Sequence, residues 1–345
     1  MSSQLVTIQR YHRQALIPAI GVEGQQRLRE ARVCIIGIGA LGTHVADHLA
    51  RAGVGFLRLV DRDVPELTNL QRQVLFDEAD VESSTPKAVA AARRLSAINH
   101  EVELEPVVDD INPFNVERLI ADVDLVIDGS DNFELRYLLN DAAVKLGRPW
   151  IYGGVIATHG TTMTIIPGET PCLRCVFPEP PPPGTAPTCD TAGVLGPAVA
   201  VIGALQAIEA IKLLTGNREA RSRWLIGFDV WVPELTRIDL PERNPACPAC
   251  GLGRYDFLDR TQPTQTIQLC GRDAVQVVVQ PRVALSFPAL AERLRHSGEV
   301  SYNRYLMRFR AGAYELTIFP DGRAIIKGTT DPVEARSIYA RYVGM

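Results

Sequence analysis

The stretch Arg32-Val-Cys-Ile-Ile36-Gly37-Ile-Gly39-Ala40-Leu-Gly42, with an acid further on at Asp61, decides how the chain is read. Val33–Ile36 is a continuous apolar run, Gly37–Gly42 a glycine turn, and Thr43–Ala52 a helical pattern. Phe56–Val60 is the next apolar run, ending at Asp61. Apolar strands alternating with helices indicate a parallel sheet covered on both faces. Glycines at the head of a helix let a phosphate approach main-chain N–H groups at the positive end of the helix dipole. Asp61 lies 61 − 42 = 19 residues past Gly42, a spacing at which an acid binds ribose hydroxyls.

The pattern recurs. Lys87–Ile98 reads as a helix, Val102–Val108 and Asp124–Asp128 as strands, Asn132–Lys145 as a helix and Trp150–Tyr152 as a strand. The expected fold is α/β: a Rossmann-like, mostly parallel sheet with helices on both faces, bound to zinc, followed by a small C-terminal α+β domain. The glycine turn alone fits an NAD-dependent dehydrogenase, or a turn with no ligand at all. The longest apolar stretch, Ala192–Leu214, contains Gln206, Glu209 and Lys212. It reads as a buried helix, since a bilayer span needs roughly 20 apolar residues with few or no charges. Prolines between Pro178 and Pro187 exclude helix and central strand there. Composition shifts after Gly253, which divides the chain into residues 1–254 and 255–345. In the tail, strands are expected at Val275–Val279, Tyr302–Phe309, Tyr314–Phe319 and Ala324–Lys327, with helices at Pro288–His296 and Pro332–Tyr342. Pro320-Asp321-Gly322 is a hairpin signal.

Composition sets bounds. Of 345 residues, 46% are hydrophobic and 22% charged, enough for a sizeable core and unlike a disordered chain. The net charge is 36 − 40 = −4, which argues against a bulk-basic nucleic-acid binder. The N-terminal residues lack the apolar core of a signal peptide, so a cytoplasmic address and no membrane partner are expected. Of seven cysteines, four form two C-x-x-C pairs, Cys172/Cys175 and Cys247/Cys250. Together they make a complete tetrahedral thiolate set suited to structural zinc; two redox or incidental pairs are the alternative. Cys34 falls in an apolar strand and reads as core, and Cys270 has no evident partner. Cys189 follows the proline run and precedes Asp190-Thr-Ala-Gly193. A thiol at a helix start is a candidate nucleophile; a dispensable loop cysteine is the bland reading.

A second motif runs Asp61-Arg-Asp63, then Thr68-Asn69-Leu-Gln71-Arg72-Gln73, then Lys87. A dehydrogenase has no use for Asn69, Gln71, Arg72 and Lys87 just beyond the ribose acid, whereas a triphosphate does. A third, Asp128-Gly-Ser-Asp131-Asn132, ends an apolar strand where ligands bind in open parallel sheets. Asp131 suits Mg²⁺, which takes one or two carboxylates plus phosphates; a helix N-cap is the other reading.

Arg10-Tyr-His-Arg13-Gln14, the glycine turn, Asn69–Gln73, Ser130-Asp131-Asn132, the cysteine pairs and Thr191-Ala-Gly-Val-Leu-Gly196 occur together in this order. Over residues 8–254 this resembles the ThiF/MoeB/HesA family, the bacterial relatives of ubiquitin-activating enzymes. The resemblance implies ATP-dependent adenylation of the C-terminal glycine of a ubiquitin-like sulfur carrier ending in Gly-Gly, releasing pyrophosphate. It implies ATP on Gly39, Ala40, Gly42, Asp61, Asp63, Thr68, Asn69, Gln71, Arg72, Lys87, Asp131 and Asn132. It implies Mg²⁺ on Asp131, and Arg13 reaching the triphosphate from the other subunit of a homodimer. Cys189 would link to the carrier, and a separate protein would donate sulfur. One departure is Ala40, where the family usually has glycine. Competing readings are the NAD-dependent oxidoreductase and a non-catalytic partner subunit of an activating enzyme.

Overall fold

The computed structural model describes residues 9–181, 192–259, 265–269, 274–278 and 284–344, which fall into two compact units divided after residue 260. In the first unit, α1 (His12–Ala15) and α2 (Gly21–Glu30) lead into β1 (Arg32–Ile36), α3 (Ala40–Ala52) and β2 (Phe56–Val60). Then come α4 (Glu78–Glu82), α5 (Lys87–Ile98), β3 (Glu103–Val107), α6 (Val116–Ile120), β4 (Leu125–Asp128) and α7 (Phe133–Leu146). β5 (Trp150–Ile156), β6 (His159–Ile165), α8 (Leu173–Val176), α9 (Gly196–Leu214), β7 (Trp224–Asp229) and β8 (Glu234–Asp239) complete it.

One sheet carries them in the order β3-β2-β1-β4-β5-β6-β7-β8. β3 through β5 pair in parallel, and β5 through β8 are antiparallel. β1 alternates between the two faces. Cys34 and Ile36 join Tyr137, Leu139 and Trp150 on one side. Val33 and Ile35 join Val45, Leu49, Ala90 and Leu95 on the other. Cys34 is fully buried, and that burial pushes its thiol up to about 12. α9 is long and apolar enough to cross a membrane, but it lies against α3, β5 and β6.

The parallel half closes on a contact between bare main chains. A Cβ on Gly42 would lie 1.9 Å from the Gly37 carbonyl oxygen. One on Gly129 would lie 2.5 Å from the same oxygen and 3.0 Å from the Gly42 Cα. Gly37 adopts φ 85°, which disfavours a side chain. Only glycine lets the turn after β1, the head of α3 and the end of β4 meet this closely.

The second unit is an antiparallel six-stranded sheet ordered β11-β12-β13-β14-β10-β9. Its strands are β9 (Gln265–Leu269), β10 (Ala274–Val278), β11 (Glu299–Tyr302), β12 (Met307–Ala311), β13 (Tyr314–Ile318) and β14 (Ala324–Lys327). Helices α10 (Phe287–Leu294) and α11 (Pro332–Tyr342) supply Leu290, Leu294, Ile338 and Tyr339 to a core with Phe309, Leu316 and Ile326. The expected single strand Tyr302–Phe309 is two strands. Asn303 breaks it, its Oδ1 accepting the N–H groups of Tyr305 (2.8 Å) and Leu306 (3.0 Å). Asparagine side chains bond the main chain in this way and favour turns.

Candidate nucleotide site at the strand ends

The C-terminal ends of β1, β2 and β4 bring the sequence motifs to one edge. No side chain caps α3, whose N-cap is Gly39, so the first-turn N–H groups have no partner within the helix. Asp61 ends β2 and clasps the turn: its Oδ2 accepts the Ile38 N–H at 2.8 Å and its Oδ1 the Asp63 N–H at 2.7 Å. Burial raises the Asp61 carboxyl, and the Lys87 cation opposes that rise. Lys87 is buried at the start of α5, with Nζ 3.6 Å from Asp63.

Thr68 and Asn69 lie in or beside a 3₁₀ turn, Leu67–Asn69. Asn69 is buried, and its Oδ1 accepts the Glu66 N–H at 3.1 Å. Arg72 Nη1 donates to the Thr68 carbonyl at 2.8 Å and has no acidic partner among the described residues. Gln71 Nε2 donates to the Val194 carbonyl at 3.4 Å. A Cβ on Gly196, at the head of α9, would lie 2.8 Å from the Gln71 carbonyl oxygen. α9 therefore backs directly onto the Gln71–Arg72 main chain.

Asp131 is exposed and makes no hydrogen bond or ion pair among the described residues. The N-cap reading for it is corrected: Asn132 caps α7, its Oδ1 accepting the Leu135 N–H at 2.9 Å. An exposed carboxylate beside the glycine turn has the chemistry to hold a divalent cation shared with phosphates. Arg62 adds a cation that the motif reading passed over. It pairs with Asp110 at 2.5 Å, and the charge of Asp131 also acts on it. The motif reading quotes Gln73 but gives it no role. Gln73 is 4% exposed, its Nε2 lies 3.9 Å from where a Gly39 Cβ would sit, and its Oε1 has no hydrogen-bond partner among the described residues.

Arg13 is not at this edge. Arg13 sits in a segment held by Tyr11 and Gln14, whose partners are Glu101, Asn99, Gln25 and Ala52. Ala52 ends α3, thirteen residues and about 20 Å from the glycine turn. Cys189 lies outside the described residues, as does Cys270.

The four paired cysteines converge. Their sulfurs all lie within 4.8 Å of one another, with Cys172 3.6 Å from Cys247 and Cys175 3.4 Å from Cys250. That spacing and donor set fit one tetrahedral ion with no open position. α7 holds both arms: Asn140 Oδ1 accepts the Leu173 N–H at 2.9 Å, and Asp141 Oδ2 the Phe257 N–H at 3.0 Å. Burial pushes the Asp141 carboxyl up to about 6.

A ThiF family model matches residues 11–249. The chain belongs to the ThiF family. It is 44% identical over 337 residues to the sulfur carrier protein ThiS adenylyltransferase of Bacillus subtilis strain 168, covering 97% of this chain and 99% of that protein. It is 42% identical over 249 residues to the sulfur carrier protein adenylyltransferase of Thermus thermophilus, covering 71% and 91%. Among solved structures, Escherichia coli MccB with ATP is similar at a TM-score of 0.61 and 27% identity, covering 70% of this chain and 74% of that one. Within this ThiF-family site, Gly196→Ala is expected to push Gln71 and Arg72 off their positions. Calorimetry should then show nucleotide binding weakened about tenfold, with only a small change in melting temperature.

Proposed function

We propose that this chain uses ATP to adenylate the C-terminal glycine of a ubiquitin-like sulfur carrier, releasing pyrophosphate. What supports this most is the end-to-end likeness to the Bacillus subtilis ThiS adenylyltransferase, joined to an edge that carries the phosphate-binding turn, Asp61, Arg72, Lys87 and Asp131.

In this reading Asp61 takes the ribose. The turn at Gly39, Ala40 and Gly42 takes phosphate through main-chain N–H groups, which the Ala40 methyl does not block. Asp63 steadies Lys87, while Thr68, Asn69, Gln71, Arg72 and Lys87 line the phosphate side. The substrate carboxylate has an ordinary pKa of about 3.5 and is already ionised, so adenylation needs no general base. Its oxygen bonds to the α-phosphorus, the bond from that phosphorus to the bridging oxygen breaks, and pyrophosphate leaves with the electron pair. The difficulty is bringing anion to anion in line, which cations and positioning address. Mg²⁺ on Asp131, beside Asn132, would neutralise phosphate charge.

An exposed edge fits a protein substrate. β8 is the last strand of the sheet and pairs with β7 alone among the described strands, and Trp231 and Val232 just before it and Leu235 within it are exposed. Edge strands with apolar side chains are surfaces to which another chain adds. Arg13, remote from its own turn, serves a partner subunit in a homodimer. Cys189 is the candidate for a covalent link to the carrier, and sulfur comes from a separate donor. The second compact unit, residues 261–345, is small and is given no role in this reaction. Reduced cysteines held by zinc suit the cytoplasm.

ATP–pyrophosphate exchange should appear with purified chain, Mg²⁺ and a Gly-Gly-ended carrier, and vanish when the carrier lacks its last two residues. Exchange that ignores the carrier in every pairing would overturn the reading. Asp131→Ala should lower exchange at least about 100-fold with an unchanged circular dichroism spectrum. Metal analysis should find one zinc per chain. Cys247→Ser should lose it and unfold at a markedly lower temperature.

A further inference from the structure

The loop that carries Asp131 is held by a buried ion pair between Asp128, which opens the third motif, and Arg136, which no motif includes. Asp128, the last residue of β4, is 0% exposed. Its Oδ1 accepts the Ser130 N–H at 2.9 Å and the Ser130 hydroxyl at 2.6 Å. Its Oδ2 accepts from Arg136 Nε at 3.2 Å. From the other side, Arg136 Nη2 donates to the Ser130 carbonyl at 2.9 Å and the Gly153 carbonyl at 3.1 Å. The guanidinium lies 5.3 Å from the centre of the Phe133 ring and 5.4 Å from that of Tyr152. Gln206 Nε2 fixes the Asp128 carbonyl at 2.8 Å.

The Ser130 main chain is therefore tied at its N–H and at its carbonyl by the two halves of one ion pair. Gly129 before it has no side chain to pack, and Asn132 after it is committed to the α7 cap. Asp131 is the one acidic side chain of this loop left facing outward. Burying such a pair for stability alone gains little over apolar packing. A strand end that leaves the ladder, however, needs polar partners for its main chain.

We propose that Asp128 and Arg136 are positioning residues that fix the Asp131 carboxylate for a divalent cation shared with the nucleotide. This rests on the reading of Asp131 as that cation's ligand. Partners that orient a ligating carboxylate matter about 10-fold to 100-fold in metal affinity when removed. The pair should therefore govern metal–nucleotide binding more than nucleotide binding itself.

The test is Mn²⁺ binding in the presence of ATP, followed by electron paramagnetic resonance, with ATP affinity in EDTA measured in parallel. Arg136→Met should weaken Mn²⁺–ATP binding about 10-fold to 100-fold and change metal-free ATP binding less than about twofold. Arg136→Lys should recover part of the loss. Should Arg136→Met fail to fold, Asp128→Asn, of nearly the same volume, is judged by the same comparison. Mn²⁺–ATP affinity within twofold of the parent, or equal losses with and without metal, would overturn the proposal. Carrier-dependent exchange of the parent is measured alongside. Its absence with Mn²⁺–ATP binding intact would remove the carrier reading and leave the positioning comparison decisive.

Discussion

Everything at the nucleotide edge depends on three glycines touching through their main chains. Gly37, Gly42 and Gly129 bring the turn after β1, the first turn of α3 and the end of β4 closer than any side chain allows. Because β1 and β4 are neighbours in a parallel sheet, that contact places a helix N-terminus beside the Asp131 loop. The N–H groups at the turn favour anionic phosphate, and the carboxylate favours the cation that travels with it. In the proposed reading, neither half completes the site without the other.

The charges around this contact are balanced by position. Asp61 spends both oxygens on main-chain N–H groups of its own turn. Lys87 leans on Asp63, and Arg62 on Asp110. Among the described residues Arg72 has no acidic partner and Asp131 no hydrogen bond or ion pair, one open group of each sign. The cysteine cluster lies further along α7, where Asn140 and Asp141 grip its two arms. One helix thus starts at the Asp131 loop and later anchors the thiolate set.

In the parallel half, β1, β2 and β4 were legible in the sequence because each is a short apolar run with glycine or aspartate at or just after its end and a helical pattern further on. The antiparallel half was not. All six β8 residues are exposed, so no apolar alternation marks it, and β6 is His-Gly-Thr-Thr-Met-Thr-Ile, a run without a clear hydrophobic face. The site was legible where its residues cluster in sequence, as from Asp61 to Gln73 and from Asp128 to Asn132. Arg136 was not legible. A single arginine inside a helix looks like surface, and only the fold shows it held between Asp128 and the Gly153 carbonyl. Gln73 was quoted within its motif, yet its burial against Gly39 depends on a turn that sequence does not draw. The cysteine set was legible by spacing alone, although 247 − 175 = 72 residues separate its two arms.

The most direct test of this account is Mg²⁺–ATP binding by Gly129→Ala, read by calorimetry beside a circular dichroism spectrum and a zinc assay. The added methyl would meet the Gly37 carbonyl oxygen at 2.5 Å, so the turn and the Asp131 loop must separate. The account predicts a chain that keeps its secondary structure and its zinc but binds Mg²⁺–ATP at least about tenfold more weakly. Affinity within twofold of the parent in that folded variant would contradict it.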